Sequence, residues 1–489
     1  MADVRDQLAV QEIATRVQQG DFPGARDRCE AFLASVSETS RQSPVRTWLG
    51  LIEQRSGHLP AAVVQYELAR ESNRRNPQLA LQLGLAHFES GNLAKAEPLY
   101  RESIRIEPRQ PLAHYNLGVL LQQTRDFIGA RRAFEAALTH QPRFPEALNN
   151  LANTLAELND LAQAEQCYRQ AIWLHAAFSY AHHGLGLLLM RQMRYADALT
   201  SLRAAVHHNP EFLDGWLDLA ECQMQSGDPE AARASVEAVL ARDPAHAIAR
   251  FRRAAYAGEK VDSIPPQLVE RLYGGMAATF DEHLVNRLDY KVPSLLKAIL
   301  QPWLGRFAVV QARQPSVVDL GCGTGLFGAE IRSAAAHLTG VDLSVAMLER
   351  ARARGVYDEL VASDATAFLS GPGNAIDLVV ATDVLIYLGN LSPLFTGVAA
   401  RLSAAGAFAF STESPDDLSD GMRLQPIGRY AHSRRYIEEL ATANGLRIGA
   451  REATVVRTEN AKPVKGFLFV LEKKPGAASP DAALTSIGA

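Results

Sequence analysis

The sequence has few cysteines, four in 489 residues, and they lie far apart along the chain. Cysteines so spaced do not form the disulfide framework of a small secreted domain, so we expect reduced thiols in a cytoplasmic protein. The net charge is only −4, and no basic patch with interleaved aromatic residues occurs, which gives no reason to expect nucleic acid. No apolar run approaches the roughly 20 residues of a membrane span, and the N-terminal residues lack a hydrophobic signal segment. We therefore predict that the protein associates with neither a membrane nor a nucleic acid.

Two pairs of adjacent histidines, His182-His183 and His207-His208, are the nearest approach to a metal-binding pattern. Adjacent residues of a helix point in different directions, so neither pair converges on one ion. We interpret them as surface residues and predict no metal site.

A 34-residue period runs through the first half of the chain. Four kinds of position share it: prolines 108, 142, 210 and 244; small residues 50, 84, 118, 152 and 186; alanines 62, 96, 130, 164, 198 and 232; aromatic residues 66, 100, 134 and 168. Small residues where helices cross, an aromatic beside them and a proline after the second helix are typical of the tetratricopeptide repeat. We predict an all-α superhelix over residues 1–258, with about seven helix pairs, a capping helix and a concave inner face.

Amide side chains recur at one position of neighbouring repeats, at Gln82, Asn116 and Asn150, and Asn149 and Asn153 lie at nearby positions of the third of these repeats. They resemble the asparagine ladder in the repeat domain of the O-GlcNAc transferases, which implies that they bind a peptide backbone. An amide both donates and accepts, so it can pair with a backbone without reading side chains. The ladder ends at Gly184, and the alternative is that these residues only pack against the next repeat.

The stretch Val-Val-Asp-Leu-Gly-Cys-Gly-Thr-Gly at 317–325 is the most informative in the chain. It is an apolar strand with an acid, Asp319, at its end, followed by glycines on alternate positions. Glycine lets the backbone turn sharply and approach a ligand closely, and the helix that follows points its free amides at that ligand. Taken alone, Gly323 to Gly328 also fits the dinucleotide fingerprint of NAD-binding proteins.

Further polar residues follow the next predicted strands. Asp342 ends the second strand, 19 residues after Gly323, and Asp364 follows the third. The fourth runs into Thr382-Asp383. Carboxyl ends of parallel strands meet at one edge of a sheet, so these side chains are expected to lie close together.

The set of motifs resembles the class I S-adenosylmethionine-dependent methyltransferases over about residues 265–475. The resemblance implies a Rossmann-like α/β domain at 316–474, a seven-stranded sheet with its last strand antiparallel, and S-adenosylmethionine as cofactor. The residues that it implies for cofactor binding are Asp319, Gly321, Cys322, Gly323, Gly325, Asp342, Leu343, Met347, Ser363, Asp364, Ala365, Ala381 and Thr382. An acid at 319 would repel the pyrophosphate of NAD, which disfavours that alternative.

Between the two domains we predict a linker and helical lid over 259–315, after the break at Pro265-Pro266. In similar methyltransferases such a leader covers the cofactor, which implicates Tyr273 and Phe280.

On the substrate side we expect His283, Arg429 and Tyr430. The base candidates by position are His432, Asp383, Tyr387 and Glu413; His432 is favoured because imidazole titrates near neutrality, although a structural role remains the alternative. Residues 475–489 are predicted to be disordered.

The whole pattern resembles a bacterial group of predicted methyltransferases that also carry tetratricopeptide repeats. It implies methylation of a protein or peptide recruited by the repeats. Two alternatives stay open: a small-molecule methyltransferase with repeats used for assembly, such as a homodimer, or a scaffold with an inactive methyltransferase domain.

Overall fold

The computed structural model describes residues 2–259, 261, 263–265, 267–269, 281, 290–425, 428–459 and 462–474. The chain divides into two compact units, Met1–Asp228 and Pro229–Ala489. The predicted site residues Tyr273, Phe280 and His283, and the tail 475–489, lie outside the described residues. The predicted domain boundaries at residues 258, 315 and 474 stay predictions.

The first unit is a succession of antiparallel helices joined by short turns. They are α1 Ala2–Gln18, α2 Phe22–Ser35, α3 Thr39–Arg55, α4 Leu59–Glu71, α5 Pro77–Glu89, α6 Leu93–Ile106, α7 Pro111–Gln123, α8 Phe127–His140, α9 Pro145–Glu157, α10 Leu161–Leu174, α11 Ser179–Arg191, α12 Tyr195–His208 and α13 Leu213–Gln225. Proline in the first turn of α5, α7 and α9 starts those helices, because its missing N–H would have no partner there.

Close packing within each helix pair explains the 34-residue period. A β-carbon on Gly84 would lie 2.8 Å from the ring of Tyr100, and one on Gly118 would lie 2.6 Å from the ring of Phe134. These rings are buried, with Tyr100 1% and Phe134 0% exposed. Glycine in the first helix therefore makes room for the aromatic residue of the second, which confirms the predicted repeat architecture.

The second unit begins with two further helices, α14 Pro229–Arg242 and α15 Ala247–Ala257, and α15 ends at Gly258 in the left-handed conformation (φ 70°). Glycine is the residue that adopts this helix-ending conformation at little cost. Then α16, Val292–Gln311, precedes the sheet. Its buried face includes Leu296, Trp303 and Phe307, which pack in the same core as β-strand residues.

The remaining elements alternate strand and helix. They are β1 Ser316–Leu320, α17 Leu326–Ile331, β2 His337–Asp342, α18 Val345–Arg354, β3 Glu359–Ala362, α19 Ala365–Ser370, β4 Ile376–Ala381, α20 Ser392–Arg401, β5 Leu402–Glu413, β6 Met422–Leu424, β7 Tyr430–His432, α21 Arg434–Ala443, β8 Leu446–Glu459 and β9 Lys462–Lys473. Short 3₁₀ turns occur at Arg332–Ala334 and Leu385–Tyr387.

Seven of the strands form one sheet in the order β3-β2-β1-β4-β5-β9-β8, and β6 and β7 form a small separate pair. The first five run parallel, whereas β9 is antiparallel to both β5 and β8. Strand β4 is buried along its whole length, as expected of a central strand covered on both faces. The predicted seven-stranded α/β fold with an antiparallel last strand is confirmed.

This topology places the ends of β1, β2 and β4 side by side at one edge. Asp319 pairs in register with Gly340 of β2 and Val380 of β4. Strand order reverses between β1 and β4, and a sheet of this kind binds ligands at that point. Within the described residues, no helix combines the length and the apolar character that crossing a bilayer requires.

Candidate cofactor site at the carboxyl edge of the sheet

The loop between β1 and α17 turns through glycines in the left-handed region. Gly321, Gly323 and Gly325 have φ of 62°, 54° and 90°. A β-carbon at Gly321 would lie 2.3 Å from Cγ2 of Val384, in the loop after β4. The glycines are therefore required by backbone conformation, and at 321 also by the close approach of a neighbouring loop.

Asp319 is the buried acid of this loop. Its side chain is 0% exposed; Oδ2 accepts a hydrogen bond from the Tyr357 hydroxyl at 2.7 Å, while Oδ1 has no hydrogen-bond partner among the described residues. Burial raises the pKa of its carboxyl to about 7, although the bond from Tyr357 opposes that rise. A buried acceptor without a partner is costly, and such atoms are a feature of ligand sites.

Tyr357, which the sequence reasoning missed, lies beneath the glycine loop. β-Carbons on Gly325, Gly328 and Gly340 would lie 3.0, 2.4 and 3.0 Å from its side chain. Gly328 therefore serves the packing of α17 on this ring. No local pattern marks Tyr357, because its contacts come from segments distant in sequence.

Asp342 ends β2 and braces the glycine loop. Its Oδ2 accepts the amide of Gly323 at 2.8 Å, and its Oδ1 accepts the amide of Ser344 at 2.8 Å. Burial raises the pKa of this carboxyl, and the amides of Ser344 and Gly323 oppose the rise. Each carboxylate oxygen still has a second lone pair, so these bonds leave acceptor capacity for a ribose hydroxyl.

Apolar residues follow β2 next to Asp342, and polar residues follow the neighbouring strand β3. Met347 is buried (2% exposed) and Leu343 is exposed (43%). Asp364 caps α19, since its Oδ1 accepts the amides of Thr366 at 2.8 Å and Ala367 at 3.0 Å. The Ser363 amide donates to the Asp342 carbonyl at 3.1 Å, which ties the two strand ends together. Ala365 is the first residue of α19 and lies directly beside the capping carboxylate.

Cys322 is buried in the same loop, with 6% exposed, and its amide donates to the Val341 carbonyl at 3.0 Å. Burial raises the pKa of its thiol, and Asp319 raises it further. This environment opposes a thiolate, so the residue acts as a small apolar group in the loop.

Asp281, in the predicted linker and lid, contacts the glycine loop. Asp281 accepts hydrogen bonds from the Thr324 hydroxyl and from Arg354. Arg354 also donates to the Thr324 carbonyl at 2.8 Å. Asp281 and Arg354 together thus hold Thr324 of the glycine loop.

A second polar cluster lies beyond the end of β4. Arg457 is buried (side chain 2% exposed) and donates to Asp383 at 3.0 Å and to Glu413. Glu413 also accepts from Gln425 at 2.8 Å, and Arg429 lies 3.9 Å away. The ion pairs satisfy charges that would otherwise be costly to bury.

Asp383 has an unusual backbone for a residue with a side chain, with φ of 55°. Its amide donates to the Ser411 hydroxyl at 2.8 Å, and that hydroxyl donates to Asp383 Oδ1 at 3.0 Å. Burial raises the pKa of this carboxyl, and Arg457 opposes the rise. Beside it, Ala381 is buried at the end of β4, and Thr382 hydrogen-bonds with Tyr290, which is 9% exposed. The site edge is thus continuous from Asp319 to Asp383.

Comparisons with known proteins agree with this geometry. A family model described as "Methyltransferase domain" matches residues 317–406, and tetratricopeptide repeat models match 48–111, 115–182 and 189–255. The chain therefore carries a methyltransferase domain and tetratricopeptide repeats.

The curated relatives match through the methyltransferase domain. The chain is 35% identical to a trans-aconitate 2-methyltransferase of Paracidovorax citrulli over 144 residues, which cover 29% of this chain and 50% of the relative. It is 29% identical to a malonyl-[acyl-carrier protein] O-methyltransferase of Legionella pneumophila over 157 residues, 31% of this chain and 55% of the relative. The chain spans about half the length of these curated relatives.

Solved structures match through the repeats. A tetratricopeptide repeat protein from Parabacteroides merdae is 16% identical, with a TM-score of 0.42, and the match covers 50% of this chain and 96% of that one.

Within the methyltransferase domain, three residues expected at the substrate or catalytic side make contacts with backbone groups of the fold. His432 is 0% exposed, and its Nε2 lies 3.2 Å from the Gly389 carbonyl. Burial lowers the pKa of its imidazole to about 4. Tyr430 is 1% exposed and donates to the Val261 carbonyl at 2.7 Å, and the Tyr387 carbonyl accepts the Ile264 amide at 3.1 Å. This placement favours the structural alternative for His432, whereas the substrate-side role expected of Tyr430 stays a prediction.

In the repeats, three of the four predicted ladder residues form hydrogen bonds within the array. Asn150 donates to the Tyr115 hydroxyl of the preceding repeat at 3.1 Å, and Asn149 donates to Asn150 at 3.3 Å. Asn153 accepts from the Tyr168 hydroxyl at 2.5 Å. Asn116 is partly buried on α7. These bonds support the packing alternative for Asn150 and Asn153, and the role of all four in peptide binding stays a proposal.

No group of three or more His, Cys, Asp or Glu side chains suited to a metal ion occurs among the residues the structure describes.

Proposed function

We propose that the protein is an S-adenosylmethionine-dependent methyltransferase that acts on an acceptor presented by a protein bound to the repeats. The observation that carries the first half is Asp319. It is a fully buried carboxylate with one oxygen that lacks a partner among the described residues, at the switch point of the sheet, beside glycines that admit a ligand. An ammonium group is the partner that such an oxygen favours.

The residues present fit this cofactor. Asp319 would hold the amine of the methionine portion and Asp342 the ribose, with Met347 against the adenine and Asp364 at its edge. The exposed Leu343 and the partly buried Ser363 lie beside these groups. Pyrophosphate fits less well, since Asp319 and Asp342 would set two carboxylates against it.

The cofactor supplies an activated methyl group, so the protein's part is largely orientation. Asp342 fixes the glycine loop, and Asp319 fixes the amine end. On the acceptor side, Asp383 is held between Ser411 and Arg457, which keeps its carboxylate oriented next to Thr382. We retain Asp383 as the candidate that accepts a proton from the acceptor and Tyr387 as a neighbouring candidate, and no longer assign that role to His432. Arg429, beside Glu413, is the candidate that contacts an acceptor.

For the second half of the proposal, the support is the repeat array itself together with one relative whose substrate is attached to a carrier protein. A small-molecule acceptor is the second candidate. It is favoured by the relative named for trans-aconitate and by the ladder amides that bond within the array.

Titration calorimetry with S-adenosylhomocysteine and with NAD tests the cofactor. We expect binding of S-adenosylhomocysteine alone, and its loss in Asp342→Ala because the glycine loop and the ribose both lose an acceptor. Binding of NAD instead would refute the proposed chemistry.

The repeat function is tested by transfer of a labelled methyl group to protein fractions by the full chain. Asn116→Ala/Asn150→Ala should reduce labelling of a protein acceptor and leave S-adenosylhomocysteine affinity unchanged. Gln163→Ala removes an exposed amide from α10 and serves as the control. Equal labelling by all three proteins, or label found only in small molecules, would contradict recruitment by the ladder.

A further inference from the structure

The contact between Tyr357 and Asp319 joins two residues 38 positions apart. Tyr357 lies just after α18, and Asp319 near the end of β1. The hydroxyl donates to Oδ2 at 2.7 Å, so only Oδ1 of this carboxylate remains without a partner among the described residues. The bond therefore selects which oxygen is available to a ligand.

The ring of Tyr357 is enclosed by α17, β2 and the glycine loop. A β-carbon at Gly328 of α17 would lie 2.4 Å from its atoms and would displace the ring, and one at Gly340 of β2 would crowd it at 3.0 Å. On a third side, a β-carbon at Gly325 would lie 3.0 Å away. A ring wedged between a helix and a strand gives its hydroxyl a fixed position.

We propose that Tyr357 is a positioning residue for the cofactor amine: its hydroxyl holds one oxygen of Asp319 and thereby presents the other to the ammonium group. The inference rests on the proposed function, since it assumes that Asp319 receives that amine. Packing alone does not require the hydroxyl, because phenylalanine would fill the same space.

The electrostatics agree with this role. Asp319 must be ionised to bind an ammonium, yet burial raises its pKa to about 7. A hydrogen bond donated to the charged form opposes that effect and lowers the pKa, so a larger share of the carboxyl is ionised at neutral pH than burial alone would allow. Asp342 acts in the other direction, since its negative charge raises the pKa of Asp319. Tyr357 therefore lowers the pKa of Asp319, whereas Asp342 raises it.

The test compares two ligands on Tyr357→Phe in the full chain by calorimetry. S-adenosylhomocysteine carries the amine, and 5′-methylthioadenosine has the same nucleoside without it. We expect affinity for S-adenosylhomocysteine to fall about tenfold or more, because a hydrogen bond to a charged group is lost. Affinity for 5′-methylthioadenosine should stay within about twofold, which also shows that the variant is folded.

The pH dependence gives a second readout. Affinity of the wild type for S-adenosylhomocysteine should fall as the pH drops below about 7 and Asp319 becomes protonated. In Tyr357→Phe this acidic limb should move to higher pH, because the carboxyl loses the donor that favours its charged form. Tyr66→Phe, which removes a buried hydroxyl bonded to Gln54 in the repeats, is the matched control and should change neither ligand's affinity.

If Tyr357→Phe lost affinity for both ligands equally, or kept its affinity for S-adenosylhomocysteine, the positioning role would be overturned and the proposed function would stand. If the wild-type protein bound neither ligand, the proposed function and the inference would both be overturned.

Discussion

The ring of Tyr168 occupies the space where a side chain at position 184 would begin. A β-carbon on Gly184 would lie 2.5 Å from Cε1 of Tyr168, which is 3% exposed. In three preceding repeats the equivalent ring packs on a glycine of its own repeat, as Phe134 does on Gly118. Tyr168 has Ala152 at that position instead. The break in the amide ladder at 184 therefore has a packing cause, the ring of Tyr168 in the preceding repeat.

Gly184→Ala should lower the free energy of unfolding of the repeats by about 1–2 kcal/mol. The clash with Tyr168 costs about 1–3 kcal/mol, and the higher helix propensity of alanine returns at most about 1 kcal/mol. Ala152→Gly should restore part of the loss by giving the ring the space that it has elsewhere. Urea unfolding followed by helical circular dichroism measures both, and a Gly184→Ala variant as stable as the wild type would contradict the packing argument.

Asp319→Asn should stabilise the cofactor-free protein increasingly as the pH rises. The pKa of Asp319 is about 7 in the folded protein, above its unfolded value of 3.8, so its contribution is fully favourable below pH 3.8 and is lost as the pH rises through 7. The advantage of the variant should therefore grow by roughly 2.5 kcal/mol between pH 5 and 8. Unfolding followed through Trp303 fluorescence, with the other three tryptophans replaced, tests this; an advantage independent of pH would refute it.

Asp364 allows its capping role and its proposed adenine contact to be separated. Asp364→Ala should cost about 1 kcal/mol of stability, because the amides of Thr366 and Ala367 lose their acceptor. Asp364→Ser keeps an N-cap and should recover most of that stability. If Asp364 also accepts the adenine amine, both variants should lose preference for S-adenosylhomocysteine over S-inosylhomocysteine, measured by calorimetry. An unchanged preference would leave only the cap.

His432 should make the protein sensitive to mild acid without taking part in methyl transfer. Its pKa is lowered by burial to about 4 from 6.5, so its contribution to stability is complete above about pH 6.5 and is lost as the pH falls toward 4. His432→Gln retains a donor for the Gly389 carbonyl and does not titrate. Between pH 7.5 and 5, the wild type should lose about 2 kcal/mol more than this variant in urea unfolding.

The same variant tests the chemistry. Methyl transfer by His432→Gln at pH 7.5 should stay within about threefold of the wild type. A loss of a hundredfold or more in a folded variant would return His432 to the role of base.

The features that could be read from the sequence are those with a local or periodic signal. The 34-residue period marks Tyr100 and Gly84 because every helix pair repeats the same packing. The strand-loop-helix pattern around Asp319 and the acid at Asp342 follow from how a parallel sheet turns at its carboxyl edge. The antiparallel β9 was expected only from the resemblance to the class I methyltransferases, and the strand order comes from the structure.

Only the tertiary structure decides which side chains contact residues that are distant in the sequence. Tyr357 reaches Asp319 across 38 residues, and Arg457 reaches Asp383 across 74, without any pattern in the intervening sequence. His432 has the side chain of a base, yet it is buried against the Gly389 carbonyl. A residue type and its spacing determine which chemistry is available; burial and long-range partners determine its pKa and orientation, and these arise from packing that no local pattern encodes.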